Sequence, residues 1–526
     1  MLSSPESKLS TKSVGVPVQN DANLSGLSRI RRLPLDAYFL AALVLWEFGA
    51  LLAKAEAKPL WYDELVTFNV SGLQPFSRLW AALKAGVDGT PPFYYLIVQT
   101  ARRLPGEPHQ LIRLPSIFGY LLALLAIYLF VRKRRSGAIA LVAVLLLSIS
   151  PFREYAVEAR PYGLLVGFLA IAAAVWQSIG EKGYRSLLLF LCLSVAVSCH
   201  YFAVVSLAIF GLAEAAFLLE TRRIRWGVWL AVFGASLPFF VLFDHLVSFG
   251  RDFTPHFWSP AKWSDLIFTY ADYVPFDLKI VLALLVLFLT MLGLYALERV
   301  RNGFTPHNDS DASRIAEMLL VAGFTLYPVL LVIITKMLKS VYYERYGWPA
   351  VFGLVLATIY FLRLPRFLSR LAVFALLVAF GFRGISDFAR FHAIRTGEVD
   401  SRWSRLGSIV EREPDLPIVI GSGVRFLEAV EYATPRLRAR FIELTDEATA
   451  VRLVGTDTVE KNNAALAKFV PLAVVQRSSF EAQHDRFLLY STNQGFDWVT
   501  PDLLNRGYHL VLLGKVENDS VYLVTR

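Results

Sequence analysis

Two adjacent carboxylates, Asp63 and Glu64, follow the first apolar run of the chain and stand directly after Trp61 and Tyr62. Charged side chains beside a membrane are costly unless water solvates them or a reaction uses them. A carboxylate within hydrogen-bond reach of a hydroxyl can remove its proton, so Asp63 is a candidate general base. The alternative is a solvated loop that begins with two acids. The residues on the same side of the membrane decide between the two interpretations.

A second polar stretch, 153–162, combines carboxylates with guanidinium groups. Glu154 and Glu158 are four residues apart and would share one face of a helix. Arg160 carries a fixed charge whose forked donors match phosphate oxygens, so Arg160, Glu158 and Tyr162 are candidates for binding a lipid phosphate or a sugar. Alternatively, the arginines and glutamates pair with one another as a loop clasp. We favour the clasp for Glu154 and leave both interpretations open for Arg160.

A third stretch places Glu344 and Arg345 among aromatic residues, with Tyr343 before them and Tyr346 and Trp348 after them. Aromatic rings around one arginine at a membrane edge suit a lipid phosphate together with a sugar ring. The alternative is an aromatic belt with one anchoring arginine.

The dipeptide His200-Tyr201 ends an apolar run and is either a substrate or metal site or an ordinary interfacial pair. The sequence has no H-x-x-x-H or C-x-x-C spacing, so a tight zinc site is not supported. A loosely held divalent cation (Mg, Mn or Zn) on Asp63, Glu64 and His256 stays open.

The composition is that of a membrane protein. The chain has 526 residues, of which 55% are hydrophobic and 18% charged, and its mean hydropathy is +0.48. An average soluble protein is about 45–50% apolar and about 25% charged. The net charge of +10 lies in short Lys and Arg clusters at the ends of apolar runs, which encode topology, so no nucleic-acid partner is predicted. Cys192 and Cys199 share one apolar run and do not predict a disulfide.

The basic clusters predict which loops lie outside. Arg29, Arg31 and Arg32 precede the first apolar run, which puts the N-terminus in the cytoplasm and Asp63 outside. The apolar stretch 90–102 is too short to cross about 30 Å of hydrocarbon and is predicted to be an interfacial helix. Eleven spans follow, and the odd number places the C-terminal region on the side of Asp63. The predicted spans are 35–53, 111–131, 137–150, 162–179, 187–200, 202–219, 226–247, 278–297, 315–334, 347–362 and 371–386.

Three regions are therefore expected. Residues 1–34 form a disordered cytoplasmic tail without the apolar segment of a cleavable signal peptide. Residues 35–386 form the membrane domain, with 54–110 as its first outer loop. Residues 387–526 form a small α/β domain outside the membrane. Within the last region the predicted strands are 416–421, 510–513 and 520–525, and the predicted helices are 424–432, 462–468 and 498–506.

Together these features resemble the GT-C glycosyltransferases, in particular the protein mannosyltransferase and aminoarabinose-transferase group (glycosyltransferase family 39 and its bacterial relatives). The resemblance covers about 35–386 and is carried, in chain order, by Asp63-Glu64, Thr90-Pro91-Pro92-Phe93-Tyr94-Tyr95, Arg113-Leu114-Pro115-Ser116, Glu158-Ala159-Arg160-Pro161-Tyr162 and Glu344-Arg345-Tyr346.

The resemblance implies a mainly helical GT-C bundle that transfers a sugar from a polyprenyl-phosphate carrier to an acceptor hydroxyl on the extracytoplasmic face. Asp63 takes the role of base, and Glu64 orients the acceptor or a metal. Some relatives carry a lysine before the proline of the second segment. Here Gly89-Thr90 stands there, so the phosphate contact would come from Arg160 or Arg345. A cation at that point stabilises the departing phosphate, and a single displacement inverts the anomeric carbon.

Two other classes remain. A transporter or flippase of lipid-linked sugars would favour paired broken helices, and a non-catalytic subunit of a cell-envelope polysaccharide assembly would not need Asp63. The expected partners are a polyprenyl-phosphate sugar donor, membrane lipids, and a protein, lipid or glycan acceptor. The expected location is the bacterial inner membrane, with the soluble domain in the periplasm.

Overall fold

The computed structural model describes residues 34–179, 183–273, 309–361, 366–395, 398–492 and 495–526. The predicted tail 1–34 lies outside these ranges except for its last residue, and so does the predicted span 278–297. The described chain is mainly helical, and one six-stranded sheet lies near its C-terminal end.

The helices are numbered in chain order over the described residues. The first nine are α1 (Leu35–Ala57), α2 (Tyr62–Gly72), α3 (Phe76–Lys84), α4 (Pro92–Ala101), α5 (Pro108–Leu111), α6 (Leu114–Arg132), α7 (Gly137–Ile149), α8 (Phe152–Tyr155) and α9 (Tyr162–Gln177). The next nine are α10 (Gly183–Cys199), α11 (Val204–Thr221), α12 (Trp226–Gly234), α13 (Leu237–Val241), α14 (Phe243–Phe253), α15 (Asp265–Tyr273), α16 (Asp309–Thr325), α17 (Tyr327–Met337) and α18 (Pro349–Phe361). The last eight are α19 (Arg366–Arg395), α20 (Glu398–Val410), α21 (Gly423–Tyr432), α22 (Pro435–Arg438), α23 (Glu447–Val454), α24 (Thr458–Leu466), α25 (Arg477–Glu481) and α26 (Val499–Asn505). Short 3₁₀ turns lie at Tyr201–Ala203, Thr254–His256 and Glu344–Gly347.

Among the described residues, three helical stretches are long and apolar enough to cross a membrane: Leu35–Ala57, Pro108–Arg132 and Tyr201–Thr221. Two bent pairs raise this number to five. Trp226–Val241 meets Phe243–Phe253 at 52°, and Arg314–Thr325 meets Tyr327–Met337 at 56°. The shorter apolar helices, such as α7 and α9, have fewer than the roughly 20 residues that a span needs. The chain has helix at every predicted span within the described ranges, but the total of eleven stays a prediction.

Helices α6 and α9 touch at the level of the backbone. A Cβ atom at Gly119 would lie 2.2 Å from the carbonyl carbon of Gly163, so only a residue without a side chain fits there. Small residues allow this close approach of two helices in a membrane. The contact joins the N-terminal ends of the two helices, which places Arg113 beside Ala159.

The sheet has the strand order β3-β2-β1-β4-β6-β5. Strands β1 (Ile418–Ile420), β2 (Phe441–Thr445), β3 (Val474–Gln476) and β4 (Arg486–Ser491) are parallel, and β6 (Asp519–Thr525) pairs antiparallel with β4 and β5 (His509–Val516). In β1, Ile418 and Ile420 belong to one hydrophobic core and Val419 to another. Because alternate residues of a strand face opposite sides, this sheet is packed on both faces.

The sheet confirms the predicted small α/β region, and the predicted strands correspond to β1, β5 and β6. The sequence pattern does not predict β2, β3 or β4. The predicted boundary at residue 387 falls inside the continuous helix α19, and the division into domains stays a prediction.

The sheet region rests on residues within 54–110, the predicted first outer loop. The backbone N–H of Leu60 donates to Tyr432 Oη at 2.6 Å, and the guanidinium of Arg78 donates to the carbonyl of Phe469 at 2.6 Å. Apolar residues of both regions share one core, in which Leu65 of α2 and Phe426 of α21 are fully buried. Helix α2, which carries Asp63, is therefore packed between the helical bundle and the sheet region.

The predicted loop clasp has other partners than expected. Arg153 pairs with Glu47 at 2.8 Å and with Asp387 at 2.5 Å, and Glu154 pairs with Lys54 at 2.5 Å. These pairs tie α1, α8 and α19 together. They also show that Glu47, which lies inside an apolar helix, is paired with a cation.

Candidate active site

Asp63 lies in the first turn of α2, where the free N–H groups and the helix dipole favour carboxylates. Its side chain is 18% exposed and lies at a cavity. The residues on either side of Asp63 are buried and bonded. Tyr62 Oη donates to Asn463 Oδ1 of α24 at 3.1 Å, and Glu64 is held by an arginine. Asp63 is therefore fixed from both sides while its own carboxylate stays accessible.

Glu64 positions the site and does not line the cavity. Arg113 donates from Nε to Glu64 Oε1 at 2.7 Å and from Nη2 to Oε2 at 2.6 Å, and both side chains are completely buried. The backbone N–H of Ala159 also donates to Glu64 Oε1, at 2.7 Å. Glu64 follows Asp63 and Ala159 precedes Arg160, so the Glu64 carboxylate fixes the backbone next to both Asp63 and Arg160. This geometry gives no support to the predicted contact of Glu64 with an acceptor or a metal.

A cavity of about 980 Å³ lies beside Asp63. Seven of the residues predicted for the site line it, namely Asp63, Arg160, Tyr162, His200, Tyr201, Tyr343 and Arg345. They come from four separate segments of the chain, spread over nearly 300 residues. The structure therefore brings together most of the polar motifs that the sequence analysis assigned to the outer side.

Two carboxylates and two guanidinium groups form a charge cluster in this cavity. Arg345 Nη2 lies 2.8 Å from Asp63 Oδ2, and Arg160 Nε lies 3.9 Å from the same oxygen. Arg160 Nη1 donates to Asp88 Oδ2 at 2.9 Å. The four formal charges cancel, so each carboxylate is compensated by a nearby cation.

Asp88 is the main site residue that the sequence analysis missed. It stands directly before the Gly89-Thr90-Pro91-Pro92 stretch, which was the only available signal. Tyr95 Oη donates to its carboxylate, and so does the backbone N–H of Thr90, at 3.3 Å. Burial raises the pKa of Asp88, but Arg160 and these hydrogen bonds outweigh burial and hold the pKa below its usual value. Asp88 therefore stays charged and anchors Arg160.

Arg345 is presented by the 3₁₀ turn Glu344–Gly347 and is 8% exposed. Its guanidinium carbon lies 4.5 Å from the ring centroid of Tyr343 and 5.2 Å from that of Trp61. Stacking on aromatic faces orients a guanidinium and leaves its edge free to donate.

Both arginines keep an unused donor. Within the described ranges, the Nε atoms of Arg160 and Arg345 are buried and have no hydrogen-bond partner. Buried polar groups normally find a partner, so an unpaired donor in a native site calls for an explanation. An anion with several oxygens, such as a phosphate, would satisfy these donors.

His200 lies in an aromatic wall of the same cavity. Its ring centroid is 5.6 Å from that of Tyr162 and 5.4 Å from that of Tyr346. As a lining residue of the cavity, the imidazole can accept or donate a hydrogen bond through its ring nitrogens.

The remaining predicted residues lie elsewhere. Glu158 pairs with Lys58 at 3.2 Å, and Glu344 is bonded through its backbone carbonyl to Tyr273. His256 lies at a neighbouring cavity. No group of three His, Cys, Asp or Glu residues suited to a metal ion occurs in the described part of the chain, and His256 does not join the predicted metal ligands.

Much of the remaining cavity wall is apolar. It includes Phe202, Phe239, Phe243, Leu246, Val247 and Leu338. Phe249 packs so closely that a Cβ at Gly89 would lie 2.8 Å from its ring. The cavity thus has a charged end at Asp63 and a hydrocarbon-like end between α13, α14 and α17.

Comparison with known proteins agrees with this architecture. Residues 89–247 match the family model described as dolichyl-phosphate-mannose-protein mannosyltransferase. The crystal structure of ArnT from Cupriavidus metallidurans bound to undecaprenyl phosphate is similar over 93% of this chain and 97% of that chain, with 14% identity and a TM-score of 0.50. The fold is of the GT-C type.

Our chain is also similar to the apo state of the same ArnT, with the same coverage and identity and a TM-score of 0.47. For the Archaeoglobus fulgidus oligosaccharyltransferase tethered with an acceptor peptide, the TM-score is 0.42 at 13% identity, over 86% of this chain and 69% of that chain. The curated proteins contain no match.

The resemblance to the GT-C glycosyltransferases is therefore confirmed, as is the assignment to the membrane. The matched stretch contains Arg160, Tyr162, His200 and Tyr201, but it contains neither Asp63 nor Arg345. The GT-C fold brings these two residues to the matched stretch through α2 and the turn Glu344–Gly347.

Proposed function

We propose that this GT-C protein transfers a glycosyl group from a polyprenyl-phosphate-linked sugar to an acceptor hydroxyl at the extracytoplasmic face of the membrane. The observation that carries the proposal is the convergence of Asp63, Arg160 and Arg345 on one cavity. The other site residues of this proposal are Tyr162, His200, Tyr201 and Tyr343, with Glu64 and Asp88 as positioning residues.

The two ends of the cavity suit the two ends of such a donor. The phosphate of a lipid-linked sugar is a monoanion, and Arg160 and Arg345 offer it unused donors. The apolar wall between α13, α14 and α17 suits a polyprenyl chain, which gains free energy by leaving water. The family match to a dolichyl-phosphate-mannose transferase and the fold shared with an undecaprenyl-phosphate-bound ArnT support the same class of donor.

The reaction is a single displacement. Asp63 accepts the proton of the acceptor hydroxyl, the hydroxyl oxygen forms a bond to the anomeric carbon, and the bond from that carbon to the phosphate oxygen breaks. The electron pair of the broken bond stays on the phosphate, and the anomeric configuration inverts.

Negative charge moves during this step from Asp63 to the leaving phosphate. Arg345 pairs with Asp63 at 2.8 Å and lies beside the proposed phosphate position. Arg345 can shift its interaction from Asp63 to the phosphate as negative charge develops there. It then stabilises the transition state more than the ground state, and this difference accelerates the reaction.

The test is consumption of donor by the purified full-length protein in nanodiscs. A panel of radiolabelled polyprenyl-phosphate sugars is offered with a membrane extract as acceptor source, with and without EDTA. We expect one donor to be consumed and polyprenyl phosphate to be released. The two bent helix pairs are a feature that a flippase would share. Movement of intact donor across the bilayer of sealed proteoliposomes, without release of polyprenyl phosphate, would contradict the proposal.

A further inference from the structure

A second cavity of about 480 Å³ adjoins the first. Four residues line both cavities, namely Pro255, Phe257, Trp258 and Phe496. The far wall of the second cavity comes from the sheet region, where Gly455 and Thr456 follow helix α23. A molecule seated in the second cavity would therefore touch both the membrane bundle and the sheet region and would reach into the first cavity.

Aromatic rings connect this second cavity to the charge cluster. The Trp258 ring lies 6.4 Å from Phe496 and 4.8 Å from Tyr343, measured between centroids. Tyr343 in turn stacks on Arg345, which pairs with Asp63. Trp258 is 37% exposed, which leaves much of this large apolar side chain without a protein partner.

A histidine supplies the polar side of the cavity. His256 Nδ1 lies 3.3 Å from Asp457 Oδ2, and this carboxylate also pairs with Lys461 at 2.8 Å. Asp457 is only 2% exposed, so its position is fixed. Because an acidic partner favours the Nδ1–H tautomer, Nε2 of His256 is left as an acceptor for a hydroxyl group.

We propose that this second cavity, lined by His256, Trp258, Thr456 and Phe496, is the acceptor subsite and binds a neutral sugar ring. This inference rests on the proposed function and names the acceptor class as a glycan. The C–H face of a sugar packs on an aromatic ring, whose face carries partial negative charge. Hydroxyl groups at the edge of the sugar would meet His256 and Thr456.

The lining favours a neutral sugar over other acceptors. Among the described lining residues there is no Lys, Arg, Asp or Glu, which argues against a phosphorylated or acidic acceptor. An extended peptide would bind best along a free strand edge. The edge strands β3 and β5 contribute no residue to this cavity. A peptide acceptor is therefore the alternative that the experiment tests against.

The first experiment measures binding without chemistry. The full-length protein in nanodiscs is titrated by calorimetry with a panel of neutral disaccharides and with a Ser/Thr-containing peptide. We expect at least one disaccharide to bind, Trp258→Ala to weaken its binding at least tenfold, and Trp258→Phe to weaken it less than threefold. The matched control is Trp263→Ala, which removes another exposed tryptophan, 57% exposed, that does not line either cavity. Binding of the peptide alone, or equal binding by wild type and Trp258→Ala, would overturn the inference.

The second experiment uses the donor that the wild type consumes. Trp258→Ala and His256→Ala should each raise the KM for the saccharide acceptor about tenfold. Because His256 lines only the second cavity, His256→Ala should also leave the KM for the donor unchanged. If the wild type consumes no donor but Trp258-dependent saccharide binding persists, the proposed function fails and the subsite stands. If donor is consumed and the acceptor KM is the same in all variants, the subsite fails and the proposed function stands.

Discussion

The substitution Asp63→Asn tests the charge cluster because it changes charge and hardly changes shape. Removing a general base costs about 10²–10⁴-fold in turnover. The same substitution also removes the carboxylate that lies 2.8 Å from Arg345. In the wild type, a donor phosphate has to share Arg345 with this carboxylate. The asparagine variant should therefore turn over slowly but bind the donor more tightly.

The expected tightening follows from the size of the ion pair. Two unit charges about 4 Å apart attract by roughly 4 kcal/mol at an effective dielectric constant of about 20. Arg345 can contact carboxylate and phosphate together, so we take about a third of this energy as returned to the phosphate. That corresponds to about 1.4 kcal/mol, or about tenfold in the dissociation constant.

The assay combines turnover of the labelled donor with equilibrium binding of polyprenyl phosphate to protein in nanodiscs. Asp252→Asn serves as the control, because that carboxylate is 59% exposed and pairs only weakly with its neighbour Arg251. We expect the control to match the wild type in both measurements. If Asp63→Asn weakens polyprenyl-phosphate binding, Asp63 does not compete with the donor for Arg345. If Asp63→Asn keeps full turnover, Asp63 is not the base.

Three further substitutions probe the surroundings of the site. Arg345→Lys keeps the charge but loses the planar fork and its aromatic stacking, so we expect kcat/KM for the donor to fall about 10–100-fold with an unchanged melting temperature; an unchanged kcat/KM would refute a phosphate contact. Glu64→Gln leaves Arg113 buried without its carboxylate and should destabilise the protein by about 3–5 kcal/mol in denaturant titrations, whereas a loss of activity at full stability would mean that Glu64 acts on the substrate directly. Glu460 is 3% exposed, and burial raises its pKa to about 7, so the folded state keeps this proton while the unfolded state has already released it. Stability should therefore decline as the pH rises from about 4.5 to about 7, and Glu460→Gln should flatten this decline in melting curves; an unchanged pH profile would contradict the burial argument.

The residues of the charge cluster show which parts of a site can be predicted from the sequence and which cannot. Asp63, Arg160 and Arg345 stand out in the sequence because each is a charge at the end of an apolar run, where charges are costly. Asp88 escaped notice because an aspartate in a polar loop is ordinary, and its meaning depends on Arg160, which lies 72 residues further along the chain. The position of Glu64 beside Asp63 predicts a catalytic role for it, but its ion pair with Arg113 decides where its side chain points.

The sheet region shows the same division. Strands β5 and β6 have alternating or apolar runs between turn residues and are predictable, whereas β2 carries a carboxylate, Glu443, in the middle of the strand. In β2, Glu443 is buried and receives hydrogen bonds from Asn463, and that partner lies in α24. A buried polar residue in a strand is tolerated only when another element supplies its partner, which the local pattern does not reveal.

The amino-acid sequence by itself determined that this is a membrane protein, and its short motifs carried the resemblance to the GT-C glycosyltransferases. The membrane assignment was possible because hydrophobic length and the position of charges are local properties to which water and lipid respond directly. Only the tertiary structure decided which carboxylate meets which guanidinium, that Glu64 faces the protein and Asp63 the cavity, and that Phe496 of the sheet region lies against Trp258. Those outcomes depend on contacts between segments up to several hundred residues apart, and the packing of whole helices sets them.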